Sequence, residues 1–195
     1  PDFHVTAALY VPKNLTDPNP AVLFVCGHSD SGKAYPVYQA VCIDLVRNGF
    51  VVLAMDPPGQ GERWQYLDPI TGSRIIGGCT TEHTYAGLQF AVCGANLARH
   101  FIWDGMRAID YLTERSEVDP DRIGVTGNSG GGTQTCYLML CESRLAAAVP
   151  CTFPMTLKHY HKTGQPQDSE QIIHGCFARG PDHLDYIIGL APKPV

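Results

Sequence analysis

A serine stands among glycines in the run Gly127-Asn128-Ser129-Gly130-Gly131. This G-x-S-x-G pattern follows a predicted strand at 122–126 and precedes a predicted helix at 130–141. A sharp strand-to-helix turn of this kind exposes the serine hydroxyl, and the flanking glycines permit the tight backbone. We therefore predict that Ser129 is a nucleophile for acyl transfer; the alternative is a glycine-rich turn with an incidental serine.

A nucleophile of this type needs backbone N–H groups that stabilise the oxyanion formed during attack. Gly130 follows Ser129, and its N–H would lie at the positive end of the next helix. A second donor is expected from the loop after an earlier strand. Cys26-Gly27-His28-Ser29 follows the apolar run 21–25, so we expect the N–H of His28 to be that donor, with the N–H of Ser29 as the alternative. For the side chain of His28, a loop position without a chemical role is an equal alternative.

The serine also needs an acid and a histidine, which follow it along the chain in this type of site. The chain ends at 191–195, a run that resembles the entry to another strand. We therefore expect the acid and the histidine beyond residue 195, in which case the chain is a fragment or its remainder lies elsewhere. The alternative is an internal triad, with candidates that all follow Ser129: Glu170 or Asp182 as acid, and His174 or His183 as base.

A phosphate-binding pattern, G-x-x-x-x-G-K, is also present at Gly27–Lys33. It would indicate a nucleotide-binding protein. However, the pattern requires Ser or Thr after the lysine to hold Mg²⁺, and Ala34 occupies that position.

Asp56 ends the run 50–55, and we interpret it as a carboxylate that holds a turn. His159 and His161 could suggest a metal, but without a suitably spaced carboxylate they are a weak signal, so we expect neither a metal nor a cofactor.

The composition is that of an ordinary soluble chain of 195 residues, with 44% hydrophobic residues and a net charge of −5. That charge excludes a basic surface for nucleic acid, and no apolar run reaches the length of a membrane span. The chain begins at Pro1 without a signal segment, so we expect a processed or trimmed product.

The eight cysteines include no C-x-x-C pair and are expected to be mostly buried thiols, with one or two disulfides as the alternative. The sequence leaves open whether the protein is secreted, periplasmic or cytoplasmic. It also leaves the oligomeric state open.

The elements that would position Ser129 alternate between strands and helices. Strands are predicted by the runs 4–11, 21–26, 50–55, 122–126 and 145–151, and helices by 38–48, 96–115 and 130–141. Short apolar runs between turn signals are typical of strands buried on both faces of a parallel sheet. We predict one α/β domain over 1–195, with segments 62–95 and 152–183 as a cap or as borders of the site.

Four runs together resemble the acetyl xylan esterase and cephalosporin-deacetylase-like branch of the α/β-hydrolases. They are Cys26-Gly27-His28 as the oxyanion loop, 56–61 as the D-x-R-G-Q-G turn, 104–108 with 118–125 as the approach to the nucleophile, and 127–132 as the nucleophile turn. The resemblance covers residues 20–150. It departs from the family at Pro58, where Arg is usual, at Gly130, where Gln is common, and over 62–95.

The resemblance implies an α/β-hydrolase fold, a mostly parallel sheet flanked by helices, with its C-terminal strands missing from this chain. It implies a serine esterase for small acyl esters, such as acetyl groups on carbohydrate, acting through an acyl-enzyme on Ser129. The expected partner is a small-molecule or carbohydrate ester, with no nucleic acid and no membrane. Alternatives are a hydrolase fold that only binds ligands and a serine exopeptidase.

Overall fold

The computed structural model describes residues 3–15, 18–165, 167–179 and 181–195. Within them the chain forms a five-stranded sheet with helices on both faces. The strands are β1 (Ala7–Tyr10), β2 (Asn19–Val25), β3 (Val51–Met55), β4 (Val118–Asn128) and β5 (Ala147–Cys151). The helices are α1 (Pro36–Arg47), α2 (Cys79–Val92), α3 (Ala98–Thr113), α4 (Gly130–Cys141), α5 (Leu157–Lys162), α6 (Cys176–Arg179) and α7 (His183–Leu190), with a 3-10 turn at Gly32–Ala34.

The sheet has the strand order β1-β3-β2-β4-β5. Strand β1 pairs antiparallel with β3, whereas β3, β2, β4 and β5 run parallel to one another. This confirms the predicted mostly parallel sheet flanked by helices. Because parallel strands end at the same edge of a sheet, the loops after β2, β3, β4 and β5 all lie at one edge, where ligand sites of such folds form.

Alternate residues of β2 face two different hydrophobic cores. Leu23 and Val25 pack in a core formed with α3, α4 and α7, whereas Phe24 packs on the opposite face against α1. This two-sided burial explains why the central strands are continuous apolar runs rather than alternating ones. Burial of each such side chain stabilises the fold by about 1.5–3 kcal/mol relative to its exposure.

The predicted helices 38–48, 96–115 and 130–141 are confirmed as α1, α3 and α4. The strand predicted at 4–11 is shorter in the structure. Strand β1 pairs with β3 only over Ala7–Tyr10, with Ala7 opposite Met55 at one end and Tyr10 opposite Val52 at the other. Strand β4 is longer than predicted, since a second stretch of pairing brings Val118 beside Asn19.

Helix α2 was not predicted, because Cys79 is the one hydrophobic side chain among its buried residues and the others are polar or glycine. Glu82 and His83 are buried there together with Gly87. The sequence of α2 therefore lacks the apolar spacing by which a helix is recognised. Segment 152–183 contains α5, α6 and the start of α7, and its residues 166 and 180 lie outside the described residues.

All eight cysteines are free thiols, and five of them are buried. None of the described helices combines the length and apolar character of a membrane span.

At the end of the chain, Ala148 N in β5 donates a hydrogen bond to Pro194 O at 3.1 Å. The final residues, predicted as a strand entry, thus lie beside β5 without forming a strand themselves.

Candidate active site

Ser129 occupies the junction between β4 and α4 in a strained backbone conformation, with φ 57° and ψ −117°. Left-handed φ values are uncommon for residues other than glycine and are retained where the surrounding structure enforces them. The surroundings here are close: a Cβ on Gly127 or on Gly131 would approach Val25 O to 2.3 or 2.2 Å. The strand-to-helix turn therefore requires these glycines, and it leaves Ser129 exposed.

The end of β5 fixes the backbone of Ser129. Ser129 N donates to Cys151 O and to Thr152 Oγ1, each at 3.0 Å. Thr152 Oγ1 in turn donates to Asn128 Oδ1 at 2.7 Å. Among the described residues, the hydroxyl oxygen of Ser129 has no hydrogen-bond partner, so it is available to a ligand.

Two backbone amides are candidates to bind an oxyanion here: that of Gly130, which follows Ser129 in the chain, and that of His28, which lines the same pocket as Ser129. Gly130 is the first residue of α4, and the first N–H groups of a helix have no partner within it. His28 follows β2, and its ring packs so closely on Gly130 that a Cβ there would lie 2.8 Å from His28 Nε2. Neither the N–H of His28 nor that of Gly130 donates a hydrogen bond to a described residue.

Buried amide side chains hold the loop that carries His28. Gln60 Nε2 donates to Gly27 O at 2.8 Å and to Ser29 O at 3.0 Å, and Gln134 Nε2 donates to Cys26 O at 2.9 Å. Gln60 is fully buried and Gln134 nearly so. Three carbonyl groups of the loop are thereby fixed, and this restricts the direction of the N–H groups between them.

A pocket of about 200 Å³ opens over Ser129 and His28. Its other lining residues come from the segment after β5: Thr152, Phe153, Met155, Tyr160, Asp168 and Gln171.

The ring of His28 contacts two carboxylates. His28 Nε2 lies 2.6 Å from Glu170 Oε1, and His28 Nδ1 lies 3.4 Å from Asp168 Oδ2. Glu170 is 1% exposed and also faces His83, whose Nδ1 lies 3.3 Å from Glu170 Oε2. Burial alone would raise the pKa of Glu170, but the hydrogen bond with His28 and the ionic contact with His83 lower it to about 2. Burial would lower the pKa of His83, but Glu170 raises it above its ordinary value.

The same cluster is the part of the described chain that could hold a metal ion. One ligand atom each of His28, His83 and Glu170 lies within 4.8 Å of the others. Sequence spacing gave no sign of this set, because its members lie on three distant segments. The direct hydrogen bond between His28 and Glu170 accounts for their contact without an ion.

The four in-chain triad candidates lie in different places, and none lines the pocket over Ser129. Glu170 contacts His28, as described above. Asp182 caps α7 and accepts a hydrogen bond from Leu157 N at 2.8 Å. His183 is buried and stacks on Phe153 at 4.2 Å between ring centroids, and burial lowers its pKa. His174 lines a separate pocket beside α4 and α6.

Asp56 is fully buried and holds two turns. Its carboxylate accepts hydrogen bonds from Lys33 N and from Thr6 Oγ1, each at 2.7 Å. The Lys33 ammonium pairs with Asp56 and Glu62. The lysine that phosphate binding at Gly27–Lys33 would require is therefore already engaged with carboxylates.

Sequence reasoning placed Ser129, Gly130 and His28 together but did not single out Thr152 or His83. Thr152 had an available signal, since it follows the C-terminal end of β5, and such ends converge at one sheet edge. His83 had none, because the helix that carries it was not recognised.

The sequence profile of the acetyl xylan esterase (AXE1) family matches residues 2–173. The chain belongs to this family. The match confirms the predicted resemblance and extends it beyond residues 20–150. YtaP of Bacillus subtilis (strain 168), which is named as a hydrolase, is 30% identical over 148 residues, covering 71% of this chain and 44% of YtaP.

Solved structures show the same fold. A Bacteroides fragilis NCTC 9343 protein described as an acetyl xylan esterase superposes with a TM-score of 0.80 at 20% identity, covering 100% of this chain and 55% of that one. Acetyl xylan esterase 1 from Thermoanaerobacterium sp. JW/SL YS485 gives a TM-score of 0.62 at 26% identity, covering 95% and 57%. The chain thus spans about half the length of these relatives, and its fold is that of the α/β-hydrolases.

Proposed function

We propose that this protein is a serine esterase that hydrolyses small acyl esters, such as acetyl groups on carbohydrate. The observation that carries the proposal is the exposed Ser129, held by a strained backbone at the start of α4 in a pocket shared with His28. The N–H groups of Gly130 and His28 donate to no described residue. Membership of the acetyl xylan esterase family and the small pocket support an acetyl-sized acyl group.

In this mechanism Ser129 Oγ attacks the ester carbonyl carbon while a base removes its proton. The N–H groups of Gly130 and His28 donate to the oxyanion of the tetrahedral intermediate. The intermediate collapses, the alcohol leaves with the proton, and an acyl-enzyme remains on Ser129. Water then attacks the acyl-enzyme, releases the carboxylic acid and regenerates the serine.

The base and its orienting acid form part of the proposal. Since none of Glu170, Asp182, His174 and His183 lines the pocket of Ser129, we assign both roles to residues of the full-length protein beyond 195. The greater length of the relatives supports this assignment. A serine without such a base is a weak nucleophile at neutral pH, so turnover is expected of the full-length protein.

The test is hydrolysis of p-nitrophenyl acetate by the full-length protein and by its Ser129→Ala variant, with fluorophosphonate labelling read by mass spectrometry. We expect Ser129→Ala to abolish both turnover and labelling while the fold is retained. The matched control is Ser143→Ala, a change at an exposed serine in the turn after α4, which should leave both unchanged. Undiminished turnover in Ser129→Ala would refute the proposed function.

A further inference from the structure

The carboxylate of Glu170 joins the oxyanion loop to helix α2. It is 1% exposed and lies between His28 Nε2 at 2.6 Å and His83 Nδ1 at 3.3 Å. A buried carboxylate without partners is costly. The burial of Glu170 therefore depends on its contacts with His28 and His83. The mechanism described above uses neither Glu170 nor His83.

His83 is a fixed anchor at one end of this link. A carbonyl oxygen only accepts hydrogen bonds, so the contact of 2.7 Å between His83 Nε2 and Pro58 O places a proton on Nε2. His83 also packs edge-on against Phe101 at 5.2 Å between centroids. These contacts fix the ring and direct its Nδ1 atom to Glu170.

The backbone of Glu170 is fixed as well. The buried hydroxyl of Tyr137 in α4 donates to Glu170 O at 3.0 Å. The preceding residue, Ser169, packs on α2, where a Cβ on Gly87 would lie 2.1 Å from Ser169 Cβ. Glu170 therefore connects three elements, α2, α4 and the loop after β2.

The ring of His28 is confined at the other end of the link. Both of its nitrogens face carboxylates, Nε2 toward Glu170 and Nδ1 toward Asp168. One ring edge rests on Gly130. A ring held on three sides restricts the backbone of its own residue, including the N–H that the proposed function assigns to the oxyanion.

We propose that Glu170 and His83 are positioning residues that hold His28, and with it the second oxyanion donor, in the catalytic orientation. This inference rests on the proposed function. An oxyanion donor acts when it is fixed before the reaction, since it then needs no reorganisation as charge develops. Because the donor meets negative charge in the transition state, its displacement lowers kcat more than it raises KM.

The test compares Glu170→Gln with wild type in the full-length protein, using p-nitrophenyl acetate. The change keeps the shape of the side chain and removes its charge. We expect kcat to fall by about 10- to 100-fold, below the loss of a whole donor, with KM changed by less than about twofold. Affinity for a boronic acid, which forms a tetrahedral adduct on the serine, should fall in parallel with kcat.

The matched control is Glu142→Gln. Glu142 is also a buried carboxylate with a charged partner, Arg144, but it lies at the far end of α4. It should lose stability without losing kcat. Equal kcat in Glu170→Gln and wild type would overturn the positioning role, as would wild-type activity that EDTA abolishes and Zn²⁺ restores, which would make the cluster a metal site.

A measurement on the wild type covers the case in which Glu170→Gln does not fold. Nuclear magnetic resonance of the histidine rings should show His28 protonated at Nε2, with slow exchange of that proton. A rapidly exchanging ring would overturn the proposal. If Ser129→Ala retains turnover, the proposed function and the positioning role both fail; if only the Glu170 test fails, the esterase proposal stands.

Discussion

The backbone N–H of Ser129 is engaged by Cys151, whose carbonyl oxygen accepts it at 3.0 Å. In the proposed mechanism Ser129 is the nucleophile, and its own amide is thus already used within the turn. The neighbouring amide of Gly130, at the start of α4, is the one that remains for the oxyanion. The end of β5 thus occupies the amide of Ser129 and leaves that of Gly130 without a partner among the described residues.

Thr152 shares in this arrangement, and its hydroxyl can be tested directly. Thr152→Val removes the acceptor for Ser129 N and the donor to Asn128 Oδ1. We expect a loss of about 1–2 kcal/mol in the free energy of unfolding, as for two lost hydrogen bonds of which the Ser129 donor keeps a second acceptor in Cys151 O, and a several-fold loss of kcat. Thr152→Ser keeps the hydroxyl and should retain most of both, by urea denaturation and steady-state kinetics. Equal effects of the two changes would contradict this role.

The strained backbone of Ser129 leads to a prediction about stability. At φ 57° a glycine is less strained than any residue with a Cβ. Ser129→Gly should therefore be more stable than Ser129→Ala by about 1 kcal/mol in chemical denaturation, and neither should turn over ester. The same pair of changes at the exposed Ser143 supplies the control. There φ is not left-handed, so glycine should bring no gain. An Ala variant at 129 as stable as the Gly variant would mean that the turn is not strained.

Sequence reasoning was most successful where local signals and the fold agree. Ser129 and α4 were predictable because an apolar strand, a glycine-rich turn and a helical run follow one another directly. The partners of His28 were not predictable in the same way. Glu170 was named for its chemistry, but its contact spans 142 positions of the chain, and His83 lies on a helix with a polar buried face. Such contacts depend on tertiary packing, which local patterns do not encode.

Gly130 is a departure from the family, and the structure gives a reason that can be tested. A Cβ at this position would lie 2.8 Å from His28 Nε2, so the ring of His28 occupies the space that a side chain would need. Gly130→Ala should cost about 1–3 kcal/mol of stability, as overpacking does. Combined with His28→Ala the cost should shrink, giving a coupling energy above about 0.5 kcal/mol in a double-mutant cycle.

The control for this cycle is Gly77→Ala, since a Cβ there would meet no atom within 4 Å. Its effect on the free energy of unfolding should be small and independent of His28→Ala. Strictly additive effects of Gly130→Ala and His28→Ala would show that the ring and the glycine are not in contact.

The cluster around Glu170 predicts a specific response to acid. Burial alone would raise the pKa of Glu170, but the hydrogen bond with His28 and the ionic contact with His83 bring it from an ordinary 4.5 to about 2. A carboxyl group with a lowered folded-state pKa stabilises the fold above its ordinary pKa, and this contribution is lost as pH falls through the lowered value. The free energy of unfolding of the wild type should therefore decrease between pH 4.5 and 2 more steeply than that of Glu170→Gln.

Other carboxylates also titrate in acid, including Asp168 on the other nitrogen of His28, so the measured quantity is the difference between the two proteins. Asp168 has a pKa raised by burial and by Glu170, so its own contribution has the opposite sign and should diminish in Glu170→Gln. Urea denaturation at intervals of half a pH unit measures the difference. Parallel plots of the free energy of unfolding against pH for wild type and Glu170→Gln would show that His28 and His83 do not stabilise the charged carboxylate in the folded state. The link between the oxyanion loop and α2 would then lose its electrostatic basis.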